Sequence, residues 1–354
     1  MSVGQNVAPA KFRTGAARHR ESLVYPITYA AGKSSTQLLN PWGYLSELQI
    51  LFQLAIVVGT GGTVTDNDAA QSNFLPQIGL RSPQGEQIWS SNSRDLTDFA
   101  YRLNRSTSPF TDPNYVAWTP GAAGTYNINF RLRIPVALDD GSNFDLGLLQ
   151  RQINSNQFAL TFTMAQASDL VGSGTCAITS ITGTFYIEEV YYDAVRPGQT
   201  VNGAPLSEPS FAQYIRLRST NLGALVNGTN NVKYDTGPVL VDAMHRIINN
   251  SKADSTVANV QQIQLKANGG TEYDTRTGNR IVFDQADHLG KALRAGVYHE
   301  DFCDDTQMVN ATMARDMINS NQATQLSFFV NYTGTPSGYS DIQTIYRELV
   351  TFGG

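Results

Sequence analysis

"TYNINFRLRIPV", residues 125–136, alternates strictly: Tyr126, Ile128, Phe130, Leu132 and Ile134 are apolar, and the residues between them are polar. A period of two places one set on a buried face and the other in water, the signature of a β-strand at a core. Outward from it the same texture continues. Short runs rich in β-branched and aromatic residues, such as "LSELQILFQLAIVV" (45–58), "QFALTFTMA" (157–165), "AITSITGTFYIEEVYY" (177–192), "VQQIQLKA" (260–267), "RIVF" (280–283), "AGVYHEDF" (295–302) and "TQLSFFVNY" (324–332), are separated by Gly, Asn, Asp, Ser, Thr and Pro clusters. Many such runs at intervals predict antiparallel sandwiches or barrels. Two segments carry helical spacing instead. "RDLTDFAYRLN" repeats apolar residues at Leu96, Phe99, Ala100 and Leu103, with Ser93 or Asp95 placed to cap. "PVLVDAMHRIINN" does so at Leu240, Val241, Met244, Ile247 and Ile248. Both are expected as helices lying on the outside of a sheet.

Following the opening strand come an acidic loop, "ALDDGSNFD", a short apolar segment, "LGLLQRQ", the phrase "INSNQ" (153–157) and the strand "FALTFTM". The second half repeats the order: "KALRAGVY", "HEDFCDDTQ", "MVNATMARDM", "INSNQ" (318–322), "ATQLSFFV". The matched surroundings predict two β-domains built to one plan. Ile153, Asn154, Ser155 and Asn156 form the first copy of a duplicated polar turn, and Ile318, Asn319, Ser320 and Asn321 the second. The isoleucines are expected to pin each turn to the core. "RPGQTVNGAPLSEPS" (196–210) has no periodicity and reads as the connection between domains. The expected organisation is an N-terminal arm over 1–22, a first domain over 23–195, the linker over 196–210 and a second domain over 211–354.

The 354 residues, 41% hydrophobic, suffice for two ordinary cores. Net charge is −5, which argues against a general affinity for nucleic acid. Within the arm, however, Lys11, Arg13, Arg18 and Arg20 stand against Glu21 alone. A basic arm before an acidic body suits phosphate, lipid headgroups or an acidic neighbour. Two cysteines, Cys176 and Cys303, lie far apart and predict neither a disulfide framework nor a zinc site. They fit assembly in a reducing cytoplasm.

No catalytic signature emerges. "VVGTGGTVTDND" (57–68) lacks the spacing of a phosphate loop and is expected to be a turn. "YHEDFCDD" (298–305) clusters His299, Glu300, Asp301, Cys303, Asp304 and Asp305, and is expected to be a solvated acidic loop at a strand end, holding no metal. His19, His245 and His288 show no partner pattern; His245 is expected at the surface. Trp42, Trp89 and Trp118 are expected in the core or at a subunit interface, with a sugar site as the alternative.

The ordered pieces resemble the double jelly-roll major coat proteins of tailless icosahedral bacteriophages with an internal membrane, the tectivirus-like group. "WGYLSELQILFQLAIVV" is similar to the first long strand pair, and "FLPQIGLRSPQGEQIWSSNSRDLTDF" to the next strand with its helix. "AAGTYNINFRLRIPVALDDGSNFDLGLLQRQINSNQFALTFTMA" resembles the central strand, loop and return strand, and "GTFYIEEVYYDAVRPGQTVNG" the last strand and linker. "LRAGVYHEDFCDD" and "QLSFFVNY" are the matching part of the second roll. The resemblance implies an all-β chain of two consecutive eight-stranded jelly rolls with short helices in the loops. It also implies a non-enzymatic major capsid protein whose homotrimers form nearly hexagonal tiles of the virion. The expected partners are neighbouring trimers, minor or penton proteins, and an internal lipid membrane met by the basic arm. Assembly in the bacterial host cytoplasm, no cofactor and no sequence-specific nucleic-acid binding complete the expectation. The alternative function is a carbohydrate-binding or carbohydrate-cleaving double β-sandwich.

Overall fold

The computed structural model describes residues 16–22, 25–61, 73–103, 122–139, 145–146, 149–150, 157–171, 175, 177–207, 213–250, 252–254, 256–268, 270–289, 296–302 and 318–351. Each half of the chain forms two facing sheets. In the first half, one sheet runs Arg18–Ser22, Ile178–Tyr192, Tyr44–Val58, Gly124–Pro135, all antiparallel. Facing it are Ser34–Leu38, Ala159–Thr163, Gln77–Arg81 and Gln87–Ser91, in that order. The second half repeats the scheme strand for strand. Its first sheet runs Gln213–Asn221, Asp341–Thr351, Val239–Asn249, Val297–Asp301. Its second runs Gly228–Tyr234, Leu326–Tyr332, Val260–Ala267, Thr271–Arg276. Helix α1 (Ser93–Leu103) and helix α2 (Gly278–Leu289) occupy the same step of the two halves, directly after the last strand of the second sheet.

The opening stretch behaves as its period requires. Ile128, Phe130, Leu132 and Ile134 are buried, while Asn127, Asn129, Arg131 and Arg133 face solvent. Phe130 stacks on Phe52 at 6.0 Å between ring centroids; Phe74 and Phe185 also surround Phe52, at 5.3 and 5.5 Å. Burying each such ring contributes about 1.5–3 kcal/mol.

The strands on either side of each INSNQ phrase hold matching places. Gly124–Pro135 and Val297–Asp301 precede the phrase, and each is the last strand of the first sheet in its half. Ala159–Thr163 and Leu326–Tyr332 follow it, and each is an inner strand of the facing sheet.

Three expectations are corrected. The segment 238–250 is not a helix but the strand Val239–Asn249, the counterpart of Tyr44–Val58. Its apolar residues recur without alternation because both faces are buried. "RIVF" is not a strand; it lies in α2, where Thr277 Oγ1 accepts the backbone N–H of Arg280 and starts the helix. The arm does not extend to residue 22: Arg18–Ser22 is an edge strand of the first sheet, paired with Ile178–Tyr192 from Arg18↔Tyr192 to Ser22↔Glu188. In the linker, Thr200–Val201 and Ala204–Pro205 form a small hairpin, with Asn202 and Gly203 at positive φ in its turn.

The two halves share one sheet. Gln87–Ser91 of the first lies parallel to Gln213–Asn221 of the second through the pair Leu217↔Trp89, giving a ten-stranded sheet across the molecule. The first core accordingly takes in Tyr214, Leu217, Met244, Val297 and Ile345 from the second half.

Candidate functional site

The junction of the halves concentrates the charged chemistry. Residues on Val239–Asn249 and Asp341–Thr351 pair directly: Asp242↔Arg347, Ala243↔Tyr346, Met244↔Ile345, His245↔Thr344, Arg246↔Gln343. Ala243 and Tyr346 belong to the second core, Met244 and Ile345 to the first. A strand buried on both faces must pair whatever charge it carries.

Arg246 is 1% exposed, and its two Nη atoms donate to Asp95 and Asp98 of α1. Arg94 Nε lies 3.3 Å from Asp95 Oδ1. Gln343 Oε1 accepts from Arg94 at 3.1 Å and from Arg246 at 3.4 Å. Arg246 thus meets two aspartates across the junction, and Arg94 reaches Gln343 across it. Burial alone would raise the Asp95 carboxyl. Arg246 and Arg94, with hydrogen bonds from Arg246 and Asn92, instead hold it well below the usual carboxylate range. Asn92 caps α1: its Oδ1 accepts the Asp95 N–H at 2.8 Å and its Nδ2 donates to Asp95 Oδ2 at 2.6 Å. The cap is therefore Asn92 and not Ser93, whose Oγ accepts the Leu75 N–H at 2.9 Å. Elsewhere on the junction the Tyr214 hydroxyl donates to Glu86.

His245 is not a surface residue; it is fully buried in the second core. It stacks on Phe328 with centroids 3.4 Å apart, and its Nδ1 lies 2.9 Å from Thr344 Oγ1. Nε2 lies 3.5 Å from Glu300 and 3.4 Å from the Tyr234 hydroxyl. Burial lowers the His245 pKa, partly offset by Glu300. The grouping of histidine, carboxylate and hydroxyl would suit a proton relay, but all of it is sealed from solvent and substrate. His299 and Glu300 are likewise buried in the strand Val297–Asp301, which corrects the solvated loop expected there; residues 303–305 lie outside the described residues. Among the described residues no cluster of three metal-capable side chains occurs.

The structure scatters the other anticipated residues. Lys11 and Arg13 lie outside the described residues. Arg18, half exposed, points a guanidinium nitrogen 3.8 Å from Glu47, which Arg133 already holds at 2.6 Å. Arg20 sits opposite Val190 in the edge strand. His19, expected without a partner, lies 3.0 Å from Asp193 and stacks on Tyr191.

The first INSNQ copy, Ile153 to Asn156, is outside the described residues. In the second, Ile318 and Asn319 pair with Leu240 and Val239. Asn319 Oδ1 accepts the Asn321 N–H at 3.0 Å, and Ser320 joins Gly237 and Pro238, accepting from the first at 2.9 Å and donating to the second. Trp42 is 64% exposed, Trp89 is buried at the junction, and Trp118 is outside the described residues. A sugar site built on Trp89 is therefore not available at the surface.

No protein-family model and no curated protein matches the chain. Solved structures do. The crystal structure of the STIV MCP superposes with a TM-score of 0.70 at 12% identity, over 95% of this chain and 97% of that one. The fold is a double jelly roll. The PBCV-1 virus capsid protein gives 0.64 at 11% identity over 98% and 96%, and the major capsid protein P2 from Bacteriophage PM2 gives 0.56 at 13% over 96% and 100%. At these identities the likeness is one of fold, and it spans nearly the whole of both partners. The double jelly roll accounts for the strand-for-strand repetition: each half is one roll.

Proposed function

We propose that this chain is a major capsid protein whose trimers tile an icosahedral virion. One observation carries the reading: two rolls of identical strand order fused side by side, matched end to end by major capsid proteins. Three such pairs around an axis make a six-lobed tile, and rolls with few open edges offer flat flanks for lateral packing. The work is done by surfaces, not by catalysis. Partners are other copies of the chain, neighbouring trimers and minor or penton proteins. The location is the virion shell, assembled in the cytoplasm of a bacterial host.

The shell is read as lying over an internal membrane. Lys11, Arg13 and the exposed part of Arg18 support this, each cation near anionic headgroups contributing on the order of 1 kcal/mol. The duplicated turns at Ile153–Asn156 and Ile318–Asn321 are read as architectural, each redirecting the chain between corresponding strands.

Light scattering and negative-stain microscopy of the purified protein test the assembly. The expected result is three copies of the 38.6 kDa chain in a hexagonal outline. A stable monomer without that outline overturns it.

A further inference from the structure

The linker strands Thr200–Val201 and Ala204–Pro205 pair with each other in a separate two-stranded sheet, so their ladder does not tie one roll to the other. The shared sheet joins the rolls through one residue pair, Leu217↔Trp89. Met244, Val297 and Ile345 join the first core, but the drive to bury apolar surface is itself non-directional. Charge pairing is directional, and a buried ion pair has its best-attested role in fixing register.

We propose that the Arg246–Asp95–Asp98 cluster, with Gln343 and Arg94, is an orientation clamp that holds the two rolls at a single angle. Arg246 reaches out of the second roll from a strand whose backbone is fixed on both sides, paired with Asp341–Thr351 and Val297–Asp301. Its two nitrogens take one carboxylate each from α1, Asp95 and Asp98, three residues apart on one helix face. Two attachment points on the helix fix rotation as well as distance. Asn92 fixes the Asp95 carboxylate in turn. A rotation of one roll on the other would strip two buried carboxylates from their cation with no water to replace it, so intermediate angles are penalised. The inference concerns the single chain and stands whether or not the chain builds a capsid.

The test measures an angle rather than a melting point. Spin labels are placed at Asn129→Cys in the first roll and Gln261→Cys in the second, both on exposed positions, with Cys176→Ser and Cys303→Ser. Labelled chains are diluted in unlabelled protein, so that pulsed electron resonance reads distances within one chain. The unaltered clamp is expected to give one narrow distance distribution. Neutralising it with Arg246→Met, Asp95→Asn and Asp98→Asn together is expected to leave both rolls folded and at least double the width. An unchanged width in that folded variant overturns the proposal. If the triple variant does not fold, Asp98→Asn alone decides: partial widening supports the clamp and an unchanged width rejects it. Asp242→Asn with Arg347→Met removes a buried pair lying wholly within the second roll. It is expected to lower stability without widening the distribution; equal widening there shows a generic loss of stability and rejects the specific role.

Discussion

Arg246 shows what a strand buried on both faces demands of a charged residue. Its two Nη atoms meet Asp95 and Asp98 from the other roll, so Arg246→Ala leaves two buried carboxylates without their cation. The expected loss is about 3–5 kcal/mol, read from denaturant unfolding. His245 adds a pH dependence of definite sign. The folded state holds it neutral, burial outweighing Glu300, while the unfolded chain binds a proton near pH 6.5. Below about pH 6.5 the unfolded state therefore carries the extra proton, and stability falls with pH by up to about 1.4 kcal/mol per unit until the lowered folded value is reached. Comparing unfolding free energies at neutral and mildly acidic pH, His245→Gln, which can still reach Thr344, is expected to show a shallower dependence than the parent. Neither residue was legible in advance. Asp242, His245 and Arg246 within an apolar run read as the wet stripe of a surface helix. Nothing local says that His245 enters the second roll's own core or that Arg246 meets the first roll.

Elements were legible where one face is wet. Gly124–Pro135 alternates because solvent lies on one side. Val239–Asn249 has no wet face, so its residues obey no period of two, and a helical spacing arose by accident of composition. The reverse failure at α2 has a related cause: Ile281, Val282 and Phe283 favour strands, but only Ile281 of the three is fully buried, and Phe283 is 72% exposed. Gly183 marks a tight place in the first sheet. Its φ is +127°, and a Cβ there would come within 2.2 Å of the Gln53 carbonyl oxygen. Gly183→Ala is expected to cost roughly 2 kcal/mol or more, seen as a lowered melting temperature. The edge strand Arg18–Ser22 separates two truncations. Removing residues 1–15 leaves every described strand of the first sheet in place and is expected to preserve the melting temperature. Removing 1–22 bares the edge of Ile178–Tyr192 and is expected to lower that temperature and promote aggregation in light scattering.

At the scale of the whole molecule, both copies of INSNQ fall in sequence between corresponding strands of the two halves. The correspondence is close but offset: Leu149–Gln150, just upstream of the first copy, pairs with the start of Tyr44–Val58, whereas in the second roll Ile318–Asn319 inside the phrase pairs with the start of Val239–Asn249. What stayed hidden was the contact between the rolls. It depends on residues spread over Asn92–Asp98, Tyr214–Leu217, Met244–Arg246 and Gln343–Ile345, far apart in sequence.

The shared sheet also changes what a broken chain would do. Backbone pairing, a common apolar core and buried charges cross between the rolls, while the turn at Asn202–Gly203 is exposed. Peptide-bond cleavage at that turn is therefore expected to yield two fragments that stay together on size-exclusion chromatography and separate only in denaturant. Covalent continuity would matter to this molecule while it is being made, bringing two rolls together at high effective concentration, and could be dispensed with afterwards.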